Sequence, residues 1–376
     1  MNLPAELLDS SARQADVLVT GFPGFLASHL LERLIPAQPD AKFILLIQEK
    51  MRSVAVRHVE RLRLLFPSLA GRVELVSGDL TRDRLGLEDR DYARLTQSVG
   101  VVWHLAAIYD LAVAERVAYM VNVRGTANVL DFCAACDDFH RLNYVSTCYV
   151  SGERVGLIYE DELDRNQGHK NHYEETKFWA EVEVRRRADE VPSVIMRPGI
   201  VVGDSRTGET AKYDGPYYVF KLLHQLPAWV PVPRIGGGNA LVNLVPIDFA
   251  ADAMAYLGLA KGTAGKTFHI ADPNPLRAQD LVSRTLDIMG KAQGRVTVPD
   301  GVVERLLRNQ EVEQRVGVPR EALIYFNHDA RYDTTNTQRA LREVGLQCPH
   351  MADYLPVLLD YLMQHPEKPF LDDRRV

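Results

Sequence analysis

Little in this chain points to a membrane, a nucleic acid or a disulfide scaffold. Four cysteines in 376 residues are too few for a disulfide framework. The closest two, Cys133 and Cys136, fall inside an apolar helical pattern with no second pair to complete a zinc site, so packing explains them better than redox or metal chemistry. Basic charge is not in excess: 44 Lys and Arg stand against 50 Asp and Glu, for a formal charge of -6. A nucleic-acid footprint would need the opposite balance. The densest basic run, Arg185-Arg186-Arg187, lies among Glu181, Glu183, Asp189 and Glu190 and reads as a solvated helix face. No apolar run approaches the roughly 18 residues of a membrane span, and the opening residues do not resemble a secretory leader. No internal repeat is visible. A reducing cytoplasm is the expected compartment.

What is present is a globular composition, 46% hydrophobic and 25% charged, in a length that suits one large or two intimate domains. Short β-rich apolar runs alternate with helical spacing. Asp16–Thr20, Lys42–Ile47, Arg72–Gly78, Gly100–Leu105, Leu142–Thr147 and Pro192–Arg197 read as successive strands of a doubly wound parallel α/β sheet, the Rossmann arrangement. After Gly203 prolines and glycines crowd residues 204–239, among them Gly236–Gly238, as suits a loop-rich substrate lobe. Leu241–Asp248, a helical run to Lys261 and Lys266–Ile270 read as one more return to the sheet, and from Pro275 the chain reads mostly helical. The expected division is a dinucleotide-binding domain over 1–203 with a return over 241–272, and a smaller lobe made of 204–240 and 273–376.

Between the first strand and the first helix stands Gly21-Phe22-Pro23-Gly24-Phe25-Leu26-Ala27. Glycines there let the backbone approach a pyrophosphate while the helix N-terminus offers unpaired N–H groups. At the end of the second strand Gln48 and Glu49 precede Lys50 and Arg52. The acid suits a ribose hydroxyl and NAD; the two cations suit a 2'-phosphate, and NADP is the preferred cofactor. Asp79, followed by Leu80, is placed either to meet the adenine amino group or to cap a helix. Leu105, Ala106 and Ala107 are small or apolar where the cofactor ribose would lie against the backbone.

Tyr173 and Lys177 stand four apart on a helical stretch and so share one face. A cation beside the phenol would favour the phenolate and let tyrosine pass a proton near neutrality, with Thr147 to hold the same substrate oxygen. Asn171 with Glu174 reads as the cap that starts this helix. His169 and His172 find no third metal ligand in the sequence and read as a loop at the pocket mouth. Tyr213, Tyr217, Tyr218, Phe220 and Trp229 are candidates for an acyl channel, and equally for core.

Thr20-Gly-Phe-Pro-Gly24, Gly78-Asp-Leu-Thr81, His104-Leu-Ala-Ala107, Asn122-Val-Arg-Gly-Thr126, Tyr144-Val-Ser-Thr147 and Tyr173-x-x-x-Lys177 together resemble the extended short-chain dehydrogenase/reductase superfamily over residues 16–272. The Phe25-Leu26 pair and the Arg197–Gly208 segment look most like its thioester reductase and fatty acyl-CoA reductase branch. The resemblance implies a Thr147, Tyr173, Lys177 triad with Asn122 as helper, and Pro198, Gly199 and Val201 lining the nicotinamide. It implies NAD(P)H-dependent reduction of an acyl thioester, on coenzyme A or a carrier protein, through a hemithioacetal to the aldehyde, or reduction of that aldehyde. It also implies a homodimer built on helices that include the one bearing Tyr173. Gln48 stands where the family's usual 2'-phosphate arginine would be. The alternative is an NAD-dependent sugar-nucleotide epimerase or dehydratase, or a hydroxysteroid-type dehydrogenase, for which Arg206, Lys212 and Arg234 offer cations. A dinucleotide-sensing protein without catalysis is the third reading.

Overall fold

The computed structural model describes residues 3–109, 113–235, 240–298 and 328–368. Gly236–Gly238 and the side chain of Arg234 lie outside the described residues.

Seven parallel strands form the central sheet: β1 (Asp16–Thr20), β2 (Phe43–Ile47), β3 (Val73–Ser77), β4 (Val99–His104), β5 (Arg141–Val145), β6 (Ser193–Pro198) and β7 (Thr267–Ile270). Their spatial order is β7-β6-β5-β4-β1-β2-β3. Continuous apolar runs such as Phe43–Ile47, buried at every position, arise because a parallel sheet is covered on both faces. Alternate residues of β1 serve opposite sides. Val17 and Val19 pack with Leu30, Leu31 and Leu34 of helix Phe25–Ala37 and with Met254 and Leu257 of helix Ile247–Leu259. Leu18 faces the other way, toward Val129 and Phe132 of helix Gly125–Ala135 and Ala180 and Val184 of helix His172–Arg186. The result is three layers, helix, sheet and helix.

The strand order reverses between β1 and β4, whose registers pair Thr20 with His104. A crevice outside the carboxyl ends of the strands is expected at such a switch point. The Gly21 turn opens into it. A third apolar cluster joins Tyr213, Tyr217 and Phe220 to Leu281 and to Tyr354, Leu355 and Leu358 of the helix Met351–Gln364.

One expectation is corrected here. Leu241–Asp248 does not return to the sheet: Leu241–Val242 pairs with Leu276–Arg277, and Leu244–Pro246 pairs with Ile200–Val202, both outside it. Only Thr267–Ile270 joins the sheet edge, on β6. Beyond Pro275 helices predominate among the described residues, with three short strands between them, Leu276–Arg277, Gln293–Val298 and Ala330–Tyr332, each paired with a short strand elsewhere in the chain.

Candidate active site

Gly21 adopts φ +86°, where a side chain is strained, and a Cβ there would stand 2.8 Å from the Ala106 nitrogen and 2.9 Å from the Leu105 carbonyl carbon. At Gly24 a Cβ would meet the Gly21 oxygen at 2.6 Å. The two glycines thus let the turn close as bare backbone against the end of β4, where any side chain would collide, and that bare backbone is the cradle. Helix Phe25–Ala37 starts above it with Gly24 as N-cap and no side-chain cap, so its first N–H groups face the crevice without an internal partner. Phe22 is buried against the His58 ring. The Pro23 carbonyl accepts from the Ser28 hydroxyl at 3.3 Å, Phe25 stacks on His29, and Leu26 packs against the core beneath. Ala27, 2% exposed, gives the close helix-to-sheet contact. These features fit a dinucleotide pyrophosphate.

At the rim, Arg52 donates from Nε to both oxygens of Glu49, at 2.9 and 3.0 Å, and from Nη2 to Ser77 Oγ at 2.6 Å. The Ser77 hydroxyl in turn donates to Glu49, and with Arg52 holds that carboxyl below its ordinary range. Lys50 is exposed beside them. Asp79 does not cap a helix: its Oδ1 accepts from Thr81 N at 2.9 Å and from the Thr81 hydroxyl at 2.7 Å, a local Asx turn. A hydroxyl two residues on outcompetes the more distant helix start. Leu80 packs on the second apolar layer, and its carbonyl accepts from Asn128 Nδ2 at 2.7 Å. Leu105, Ala106 and Ala107 line the far wall, half-buried, and Ala106 N donates to Thr20 Oγ1 at 3.2 Å.

His104 was present in the sequence motif but carried no role there. Its Nδ1 lies 2.8 Å from Thr20 Oγ1 and its Nε2 3.0 Å from Thr126 Oγ1. The Thr126 hydroxyl donates to the Asn122 carbonyl at 2.6 Å, which leaves it only as acceptor toward His104 and places the imidazole proton on Nε2. Burial, then the charge of Lys177, depresses His104 to about 3, so the ring is neutral.

Asn171 accepts from Glu174 N at 2.9 Å and starts helix His172–Arg186, as expected. Tyr173 and Lys177 share its inward face, 8% and 3% exposed. The Thr147 hydroxyl faces the Pro198 carbonyl at 3.5 Å, accepts from Tyr149 N at 3.3 Å and approaches the Tyr173 phenol closely enough to lower its proton affinity as a hydrogen bond would. Lys177 Nζ donates to the Val145 carbonyl at 2.8 Å and sits 4.5 Å from the Tyr144 ring centre. Burial lowers Lys177 to about 7, opposed by Glu181. The phenol moves the other way from the expectation: burial raises Tyr173, the Thr147 hydrogen bond lowers it and Glu174 raises it. Desolvation of the ring outweighs the ammonium because Lys177 turns its charge to Val145. Asn122 accepts from Ile108 N at 2.9 Å and donates to Thr176 Oγ1 at 3.0 Å, tying the segment after β4 to the Tyr173 helix.

Gly199 lies where a Cβ would stand 2.8 Å from the carbonyl and side-chain oxygens of Asn243, and Val201 pairs with Val245 beyond it. Ser146 points away, donating to Glu181 Oε2 at 2.6 Å. His169 packs on Phe178 and His172 pairs with Glu175; among the described residues no group of side chains could hold a metal. Tyr213, Tyr217 and Phe220 are core rather than channel, Tyr217 accepting from Gly203 N at 2.9 Å, whereas Trp229 is 81% exposed. Cys133 and Cys136 are buried free thiols. Tyr109 was not foreseen. Its ring meets Tyr173 edge-on at 5.1 Å and lies 5.9 Å from Lys212 Nζ.

Fold and crevice define an NAD(P)-dependent oxidoreductase of the extended short-chain dehydrogenase/reductase type. The family model described as "Male sterility protein", an NAD-binding family, matches residues 19–254, and the chain belongs to that family, which includes the thioester reductases. It is 26% identical to one of the proteins of the linear gramicidin synthase of Brevibacillus parabrevis, over 94% of this chain and 7% of that protein. It is 31% identical to fatty acyl-CoA reductase 1 of Arabidopsis thaliana, over 38% of this chain and 33% of that one. The chain thus spans well under two thirds of these relatives' length. The terminal R domain of the myxalamid PKS-NRPS biosynthetic pathway superposes with TM-score 0.80 at 26% identity, covering 98% of this chain and 97% of that one. Among the described residues no helix is long and apolar enough to cross a membrane.

Proposed function

We propose that this protein reduces an acyl thioester, held on coenzyme A or on a carrier protein, or the aldehyde derived from it. The observation that carries the reading is the approach of the Thr147 hydroxyl to the Tyr173 phenol, on the wall of the crevice into which the bare-backbone Gly21–Gly24 turn opens. Two neighbouring hydroxyls can both turn to one substrate oxygen and stabilise the charge that develops there. Tyr173, kept protonated by its burial, then delivers its proton to that oxygen. Lys177, with Nζ on the Val145 carbonyl, is placed to bond the ribose next to the reacting ring. Asn122 holds the Ile108 segment against the Tyr173 helix, and so keeps the pocket's shape.

A bound nicotinamide supplies the hydride. On this reading Gly21, Phe22, Pro23, Gly24, Phe25 and Leu26 hold its pyrophosphate, Leu105, Ala106 and Ala107 its ribose, Asp79 and Leu80 its adenine side, and Pro198, Gly199 and Val201 the nicotinamide. Lys50 and Arg52 favour NADP. On this reading the described parts of 204–240 and 273–376 contribute the lobe that takes the acyl group, and residues 236–239, 299–327 and 369–376 of it lie outside the described residues. The gramicidin synthase relative carries the matching stretch inside a much longer protein, which supports a carrier-bound substrate.

The test is consumption of NADPH and NADH by the purified protein with a long-chain acyl-CoA, a long-chain aldehyde and a ketone, beside Tyr173→Phe. Turnover of acyl-CoA that the substitution cuts by about 10²-fold or more supports thioester reduction. Turnover of the ketone alone would overturn it.

A further inference from the structure

Three stretches of chain bring their residues to the candidate site, and each sends a neighbouring side chain to one buried carboxylate. Ser146, next to Thr147, donates to Glu181 Oε2 at 2.6 Å. Arg197, next to Pro198, donates from Nε to Oε2 at 3.0 Å and from Nη2 to Oε1 at 2.6 Å. Glu181 itself stands one helical turn beyond Lys177, which stands one turn beyond Tyr173, so all three share a helix face. A fourth donor, Arg185 Nε, reaches Oε1 at 3.0 Å from the helix's half-exposed side. Glu181 is fully buried and Arg197 is 1% exposed.

From this convergence we infer that Glu181 is a positioning residue of the reductase site, holding the Tyr173 helix, the Thr147 strand end and the Pro198 strand end together and supplying the counter-charge that keeps Lys177 an ammonium. The inference rests on the roles proposed above for Thr147, Tyr173 and Lys177. A buried glutamate–arginine pair that merely fastens helix to sheet is the plainer account, and charge bookkeeping separates the two. Around Lys177 stand the neutral His104 and Tyr144 from the sheet, Tyr173 and Glu181 from its own helix, and beyond Glu181 the cations Arg185 and Arg197. Glu181 is the sole carboxylate of that group and answers three cations. Burial already draws the Lys177 proton affinity down and Glu181 opposes it, so removing the carboxylate lowers it further and removing Arg185 raises it.

The experiment compares wild type, Glu181→Gln and Arg185→Gln across pH 6 to 10 or so, reading kcat and, without turnover, the dissociation constant of NADPH by its fluorescence. In Glu181→Gln the alkaline fall of kcat and of NADPH affinity is expected to shift down by about one pH unit or more, a tenfold loss at pH values above the limb. In Arg185→Gln it is expected to move up. Limbs that coincide with wild type, with kcat reduced equally at every pH, would overturn the inference and leave Glu181 a fastener. If Glu181→Gln does not fold, Arg185→Gln decides alone, since an unmoved or lowered limb sinks the idea. A wild type that turns over none of the substrates defeats the proposed function instead, and the NADPH-binding profile still reports on Glu181.

Discussion

Arg52 grips both oxygens of Glu49 while its other nitrogen holds Ser77. Glu49 and Arg52 are solvent-facing, 70% and 41% exposed, and such pairs add little to stability. Their consequence is for the ligand. On the proposed reading an incoming 2'-phosphate would compete with Glu49 for the guanidinium, with Lys50 as a second cation beside it, whereas a 2'-hydroxyl would use the carboxylate as it stands.

Glu49→Gln is therefore expected to tighten NADPH binding and weaken NADH binding. Arg52→Ala should weaken NADPH about tenfold, the worth of a hydrogen bond to a charged group, and leave NADH nearly unchanged. Fluorescence titration of the two cofactors measures both. A loss common to both cofactors in Arg52→Ala would show that Arg52 does not read the phosphate.

Thr147→Val removes the hydroxyl beside the Tyr173 phenol at nearly constant volume. kcat is expected to fall about 10²-fold, as for loss of one oxyanion donor, with NADPH affinity retained, and Thr147→Ser to recover most of it. An unaffected kcat would remove Thr147 from the chemistry.

Gly21→Ala combines strain at φ +86° with a methyl 2.8 Å from Ala106 N, which would push the turn off the end of β4. Gly71→Ala is its control, with φ +75° and nothing within 4 Å of the new methyl. Both should lower the unfolding temperature, by about 1 kcal/mol of stability for the control. Loss of NADPH binding, tenfold or more, is expected only at Gly21. Equal cofactor binding in the two variants would place the pyrophosphate elsewhere.

His104 and His269 are both buried and drawn from 6.5 to about 3, burial being the largest cause in each. The unfolded chain takes up protons at about pH 6.5 that the folded one refuses until about 3, so stability rises with pH across that window and is lost as pH falls through it. The slope is about 1.4 kcal/mol per pH unit for each imidazole. Glu181, which Arg197, Arg185 and Ser146 hold near 2 against the effect of burial, adds to the loss below its unfolded value of 4.5. Urea unfolding at pH 7, 6 and 5 tests the histidine part. Equal stabilities from 7 to 5 would mean that both rings can be protonated in place.

The sheet could be read in advance because its strands are short and β-rich, some of them wholly apolar like Phe43–Ile47, and alternate with stretches of helical spacing. The Asn171 cap, the shared face of Tyr173 and Lys177 and the glycine turn were equally accessible, since each depends on residues a few positions apart. The strands at 241–242 and 244–246 misled. They are as apolar as sheet strands, but their partners, 276–277 and 200–202, could be known only from where the chain returns. The aromatic run at 213–220 had the composition of a ligand channel, and was claimed by packing against a helix more than a hundred residues later.

By itself, then, the order of residues determined the local devices: the cradle, the helix start, the helix face and the buried strands. Tertiary structure alone decided the protonation and pairing of the side chains those devices present. Tyr173 is raised rather than lowered, Lys177 turns to a carbonyl, and Ser146 and Arg197 meet on Glu181. The reason is physical. Desolvation and counter-charge depend on which distant segments close over a group, and no local spacing encodes that.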